Sequence, residues 1–230
     1  MNASFYNQVE LVSTFSGLAN AKFKGYVNAI CWHRKLEGNF EEIVSKLKLK
    51  ENITEVSSEE LLSLQLSEEG QKAREIILND LQLLKEQGAS PSLNLLKNYE
   101  RDEELGFIST DVYSFHVDRA PVATDTFLCT YYGPASDILS NDEAIQKILI
   151  PEIRQKLKEL HGGAEDEFED FLREYCFDLH YQPTISAKPL NLGCGHLWRL
   201  AVEHPQQKVL PCIHRAPVEN KEEYRLLLIC

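Results

Sequence analysis

The sequence predicts an α+β fold in a single domain of 230 residues, with a small barrel or double-sheet jelly roll in its second half. Two observations lead to this prediction. Segments before about residue 100 mostly carry apolar residues at helical spacing, whereas short alternating segments separated by Gly and Pro follow residue 105. We therefore expect a mainly helical part over residues 1–104 that packs on the outside of a core formed by residues 105–230.

Four segments of the first part have recognisable patterns. The apolar run VNAICWH at 27–33 is typical of a short buried strand. Helices are predicted over 39–50, with Asn39 as N-cap, and over 57–66, which begins with Ser-Ser-Glu-Glu. A longer amphipathic helix is predicted over 68–88, ending at a glycine.

The second part alternates in the manner of β-strands and is interrupted by two inserted helices. FISTDVYSFHVD at 107–118 and TDTFLCTYYG at 124–133 are rich in β-forming residues. Helical patterns occupy 145–163 and 165–177. Short strands are then expected within 184–193, 196–203, 208–215 and 223–230. Such a cluster of short strands is what suggests the jelly roll.

Composition narrows the possible functions. The formal charge is −12, from 36 acidic and 24 basic residues, which argues against nucleic acid as a partner because phosphate contacts need clustered Lys and Arg. No apolar run reaches the roughly 18 residues of a membrane helix, and the N-terminus lacks a signal-peptide pattern. Six scattered cysteines and no CxxC motif lead us to expect a cytoplasmic protein with reduced thiols. Its expected partner is a small-molecule or protein substrate.

One group of residues has the composition of a metal site. In FHVDR at 115–119, His116 and Asp118 are two apart and would share one face of a strand. His214, from a distant strand, would complete a set of two histidines and one carboxylate, which holds Fe(II) and leaves positions open for reactants. Arg225 opens the next apolar strand, and its guanidinium suits the far carboxylate of a 2-oxo acid.

The order HxD, a long gap, then HR…R resembles the iron- and 2-oxoglutarate-dependent dioxygenases, most closely in HRAPVENKEEYRL. This resemblance implies a double-stranded β-helix, which is a jelly roll. It also implies that Fe(II) bound by His116, Asp118 and His214 is the catalytic centre, that Arg225 binds 2-oxoglutarate, and that an unknown substrate is hydroxylated.

This sequence departs from the dioxygenase pattern at Leu227, where the superfamily often has a serine or threonine that shares the co-substrate carboxylate. A hydroxyl would have to come from Thr130, Tyr131 or Tyr132. The blocks NAICWHR, FHVDR, LCTYYGPAS and HRAPV…YRLLL also resemble a family of uncharacterised bacterial proteins that is named only as a domain of unknown function. That second resemblance spans nearly the whole chain and implies no reaction.

Two other interpretations stay open at this point. Cys194 and His196, with Cys212 and His214, could form a tetrahedral zinc site, which would suit a non-catalytic metal-binding protein in zinc handling or sensing. Alternatively, His116 and His214 are buried core histidines, and Arg225 pairs with a local acid, Glu222 or Glu223.

Overall fold

The computed structural model describes residues 7–102, 104–218 and 223–230, and these residues form a mixed α+β fold. The predicted α+β class is therefore confirmed. The strands are β1 (Val9–Val12), β2 (Ala29–Trp32), β3 (Ile53–Glu55), β4 (Ser92–Leu96), β5 (Phe115–His116), β6 (Asp125–Tyr132), β7 (Asp137–Leu139), β8 (Ala144–Gln146), β9 (His180–Pro183), β10 (Leu190–Asn191), β11 (Leu197–Ala201), β12 (Ile213–Arg215) and β13 (Arg225–Ile229).

The strands form two sheets. The larger sheet has the order β1-β2-β11-β6-β13-β4-β3, and the smaller has the order β10-β7-β12-β5-β9-β8. Neighbouring strands are antiparallel except for β1 and β2, which are parallel. Strands β1 to β4 all belong to the larger sheet, so residues 1–104 supply four strands in addition to helices.

The helices are α1 (Phe15–Asn20), α2 (Phe40–Lys46), α3 (Ser58–Ser63), α4 (Glu68–Glu86), α5 (Pro151–His161) and α6 (Phe168–Glu174). The predicted N-cap of α2 is confirmed, because the Asn39 side chain accepts a hydrogen bond from the Glu42 amide. Ser57 and Ser67 cap α3 and α4 in the same way. Within the described ranges, no helix is long and apolar enough to cross a membrane.

Buried apolar residues lie on both sides of the larger sheet. On its outer side, Ile77 and Leu84 of α4 pack in one cluster with Leu93 and Leu228 of the sheet. On its inner side, Leu128 and Trp198 pack with Ile138 of the smaller sheet. The two sheets therefore face each other, and helices of the first part cover the outer face of the larger sheet, whose strands come from both parts of the chain.

The structure differs from the sequence prediction in one strand and in one helix. Of the strand predicted over 107–118, only Phe115–His116 is extended and paired. The Asp111 carboxylate accepts the backbone N–H groups of Tyr113 and Ser114 and makes a turn instead. Likewise, the helix predicted from residue 145 begins at Pro151, a residue whose fixed φ favours the first helical position.

Candidate metal centre

Strand pairing brings the three predicted ligands together. His116 of β5 lies directly opposite His214 of β12, so their side chains share one face of the smaller sheet, with ring centroids 4.5 Å apart. Asp118 follows two residues later, and its carboxylate oxygens lie 3.9 Å from His116 Nε2 and 3.7 Å from His214 Nε2. One ligand atom from each residue lies within 4.8 Å of the other two, so this group could hold a metal ion.

Hydrogen bonds orient both imidazoles with Nε2 toward the shared centre. His116 Nδ1 is 2.8 Å from the Ser114 carbonyl oxygen, and His214 Nδ1 is 3.2 Å from that of Cys212. Because a carbonyl only accepts, each Nδ1 carries a proton, which leaves Nε2 as the ring nitrogen that can bind a metal. The Asp118 carboxylate accepts a hydrogen bond from the Thr126 hydroxyl, which restrains it in the same way.

The surroundings favour the protonation states that bind metal. Burial, followed by the proximity of His214, lowers the pKa of His116 to about 4. Burial alone would raise the pKa of Asp118, but His214, the Thr126 hydroxyl and His116 together hold that pKa below its ordinary value. At neutral pH, His116 is therefore a neutral donor and Asp118 is an anion.

Arg225 lies on the facing sheet and is 2% exposed. Its Nε and Nη2 donate to Thr130 Oγ1 at 3.3 and 3.0 Å, and Nη2 also donates to Ser136 Oγ at 2.9 Å. The turn after β6 passes close to the residue before β13. Gly133 in this turn has a φ of +82°, and a Cβ at this residue would collide with the Tyr224 carbonyl, so the close approach of the two segments requires glycine.

A cavity of about 250 Å³ between the sheets connects these groups. His116, Asp118 and His214 line it from the smaller sheet, and Arg225 lines it from the larger sheet. Leu128 and Leu227 supply apolar wall. The sequence-predicted triad and the predicted anchor thus share one cavity.

The structure places the predicted hydroxyl donors differently from one another. Thr130 contacts Arg225, whereas Tyr131 points to the other face of β6, donates to the Asp80 carboxylate at 2.7 Å and stacks on Phe40. The prediction that Tyr131 binds co-substrate is wrong for this reason. Sequence reasoning missed Ser136, which lies in the connection between β6 and β7. It is far from Arg225 in the sequence, and no motif links the two residues.

The four residues of the alternative zinc site do not converge. Cys212 is buried beside Gln8, whereas Cys194 is exposed with its Sγ 3.1 Å from the Gly133 carbonyl oxygen. His196 stacks on His33, with ring centroids 4.3 Å apart. In the part of the chain that the structure describes, cysteines contribute to no candidate metal group. Of the acids suggested as partners of Arg225, Glu222 lies outside the described residues.

Sequence reasoning also missed a third histidine. His180 of β9 lies opposite His116 on the side away from His214, with ring centroids 5.7 Å apart, and its Nδ1 is 3.1 Å from Ser114 Oγ. Burial, then the proximity of His116, lowers the pKa of His180 to about 3. A second cavity of about 190 Å³ is lined by His116, Asp118 and His180. The candidate metal centre therefore borders two cavities.

We compared the chain with protein-family models, curated proteins and solved structures, and none of them matched it. The fold and the site together define an α+β protein with a candidate metal centre made of two histidines and one carboxylate.

Proposed function

We propose that this protein is an Fe(II)- and 2-oxoglutarate-dependent oxygenase that hydroxylates a substrate of unknown identity, and that its two facing sheets form a double-stranded β-helix. The observation that supports this proposal is the shared cavity. Three metal-ligand side chains line it from one sheet, and a buried arginine lines it from the other.

The donor set suits ferrous iron. Two neutral imidazole nitrogens and one carboxylate oxygen are the ligands of the facial triad, which occupies one side of an octahedral ion. Cavities border these three side chains on the larger-sheet side and beside His180, where a co-substrate and a substrate would have room. The same donors also bind zinc, so metal identity is part of the test.

In this proposal Arg225, Thr130 and Ser136 bind the far carboxylate of 2-oxoglutarate. Both hydroxyl oxygens already accept N–H groups of Arg225, so their own protons are directed elsewhere and can be donated to an anion. Ser136 thereby replaces the hydroxyl that is absent at Leu227.

Bound iron, with 2-oxoglutarate and O₂, supplies the oxidation of a C–H bond. The protein's own contribution is geometric and electrostatic. His116, His214 and Asp118 fix the metal, Arg225 orients the co-substrate, and apolar walls such as Leu128 and Leu227 restrict water in the cavity.

The test is an anaerobic titration of the metal-free protein with Fe(II) and then 2-oxoglutarate, followed by visible absorption. We expect a charge-transfer band only when both are present. Loss of a residue that hydrogen-bonds to a metal ligand weakens metal binding roughly 10- to 100-fold. Replacing His116 or Asp118, the ligands themselves, with Ala should weaken it by more than that. His33→Ala removes an exposed imidazole and is the matched control.

The arginine is tested separately. Arg225→Met should retain Fe(II) but lose the band, and Ser136→Ala should weaken 2-oxoglutarate binding about tenfold or more, since a hydrogen bond to a charged group is lost. Unchanged co-substrate affinity in both variants would show that Arg225 and Ser136 do not bind the far carboxylate of 2-oxoglutarate.

The second candidate is a non-catalytic metal-binding protein that uses the same triad. The apolar side chain of Leu227 beside Arg225 favours it. Tightly held zinc in the isolated protein, with no band after iron and 2-oxoglutarate are added, would identify this function instead.

A further inference from the structure

The cavity of about 190 Å³ beside the candidate centre has no part in the co-substrate binding proposed above. It shares the metal ligands His116 and Asp118 with the larger cavity, but Arg225 does not line it. His180 lines it instead. A substrate that approaches the metal through this cavity would leave the Arg225 side to the co-substrate.

Strand register places His180 in one row with the two histidine ligands. His116 of β5 pairs with His214 of β12 on one side and with His180 of β9 on the other, so the three imidazoles share one face of the smaller sheet. His180 is nevertheless not a member of the candidate metal group. Its position beside the ligands therefore calls for a different role.

Hydrogen bonds at the Ser114 hydroxyl set the tautomer of His180. Lys147 Nζ lies 2.8 Å from Ser114 Oγ, and a lysine ammonium only donates. The hydroxyl proton is then directed to His180 Nδ1 at 3.1 Å, because the Phe115 carbonyl oxygen, at 3.5 Å, is too distant for a good hydrogen bond. His180 Nδ1 is therefore an acceptor, and Nε2 carries the proton.

The Nε2–H group of His180 is accessible to a ligand. Nε2 has no hydrogen-bond partner among the residues that the structure describes. It is also not fully enclosed, since Asn28 Oδ1 is the one fully enclosed side-chain nitrogen or oxygen without a partner in the described ranges. The Nε2–H group therefore reaches the cavity that His180 lines.

The charges around this cavity limit which acceptor fits. Arg119 donates to the Asp178 and Glu203 carboxylates through Nε, Nη1 and Nη2, so its positive charge is already balanced. Asp111 and Asp118 add negative charge, and there is no lysine among the described lining residues. Like charges repel a carboxylate or phosphate here, whereas a neutral carbonyl oxygen accepts the proton without that cost.

Asp111 favours a carboxamide over other carbonyl compounds. Its Oδ1 accepts the backbone N–H groups of Tyr113 and Ser114, and its Oδ2 accepts that of Asp102. A carboxylate has about four acceptor sites, so one remains for an amide N–H. A carboxamide thus matches both the donor of His180 and the acceptor of Asp111, two residues that line the same cavity.

We propose that this cavity receives a carboxamide group of the substrate, and that His180 selects it by donating Nε2–H to the amide oxygen while Asp111 accepts an amide N–H. Ser114 and Lys147 are positioning residues that hold His180. The inference rests on the proposed oxygenase function, since it names the substrate class of the same centre. A volume of about 190 Å³ is smaller than a site for a whole drug-sized ligand, so the cavity holds the amide-bearing part of the substrate.

The first experiment is a titration of the metal-free full chain with propionamide, followed by heteronuclear NMR of the histidine side chains. Before propionamide is added, we expect the ring proton of His180 on Nε2 and those of His116 and His214 on Nδ1. Propionamide should shift the His180 Nε2–H signal saturably, whereas propionate, an anion of similar size, should not. Ser114→Ala retains the backbone carbonyl that holds His116, so it should release the tautomer of His180 and leave that of His116 unchanged.

His180→Phe keeps an aromatic ring and removes the donor. It should weaken propionamide binding about five- to tenfold, the effect of one lost hydrogen bond. His33→Phe changes an exposed imidazole in the same way and should bind propionamide as the parent protein does. Unchanged affinity in His180→Phe, or equal binding of propionamide and propionate, would overturn the proposal. A ring proton on Nδ1 of His180 in the parent protein would do so without any variant.

The iron-loaded protein separates this inference from the function on which it rests. With Fe(II) and 2-oxoglutarate bound, propionamide should change the charge-transfer band, because both cavities border His116 and Asp118. A band that forms but does not respond to propionamide would refute the substrate assignment of this cavity alone. If no band forms at any stage, the oxygenase function is wrong, and the metal-free titration still decides whether His180 binds the amide.

Discussion

Acidification of the metal-free protein from pH 7 to pH 5 should destabilise it through two histidines of the candidate centre. His116 has a side chain 14% exposed, and His180 is 4% exposed. Burial is the main reason that their pKa values in the folded protein are about 4 and about 3, below the ordinary 6.5. Both imidazoles are therefore neutral in the folded state across this pH range.

The sign follows from where protons bind. Below pH 6.5 the unfolded chain takes up protons on both histidines, whereas the folded protein does not until about pH 4. Stability is therefore highest above pH 6.5 and is lost as the pH falls from there toward about 4. At pH 5 each histidine costs about 2 kcal/mol, or about 4 kcal/mol together. That is a large part of the ~5–15 kcal/mol by which domains are stable.

Urea unfolding with a chelator present, at pH 7, 6 and 5, measures this loss as a change in the free energy of unfolding. The double variant His116→Gln with His180→Gln carries neutral amides and should lose far less stability over the same range. His33→Gln, an exposed control, should behave as the parent protein does. The reasoning is refuted if the parent and the double variant lose the same amount, because burial of these imidazoles would then have no part in it.

Two further predictions concern the metal centre. Replacing Cys194 with Ser and Cys212 with Ala together should leave the metal content unchanged, because neither thiol belongs to the candidate metal group. Metal content is measured by elemental analysis, and loss of bound zinc would support the zinc site with two cysteine and two histidine ligands instead. Thr126→Val should weaken Fe(II) binding about 10- to 100-fold in a chelator competition, because Asp118 loses the hydroxyl that orients it. Unchanged affinity would show that this hydrogen bond does not support the site.

Part of the site could be predicted because its geometry is local. Residues two apart on an extended strand share a face, so His116 and Asp118 could be placed together from spacing alone. The long helix α4 was equally predictable, since its caps and its apolar period extend over five turns. His214 and Arg225 were found through their order in the motif.

The remainder depends on pairing between distant strands. Strands β1, β3 and β4 have three to five residues each, too few for a clear alternating pattern. His180 and Ser136 reach the site only through the register of β9 and the bend after β6. No spacing in the sequence encodes either position, because both are set by neighbours far away in the chain.

The position of β13 has a consequence for how the protein is made. This strand lies between β6 and β4 in the larger sheet, although it follows both by more than 90 residues. A ribosome releases β13 after the other strands of the larger sheet, so β6 and β4 cannot be joined until β13 has emerged, and pairings of such long separation form slowly. Arg225 is the first residue of this strand. Arg225 therefore reaches the cavity in the same step in which β13 pairs with β6 and β4.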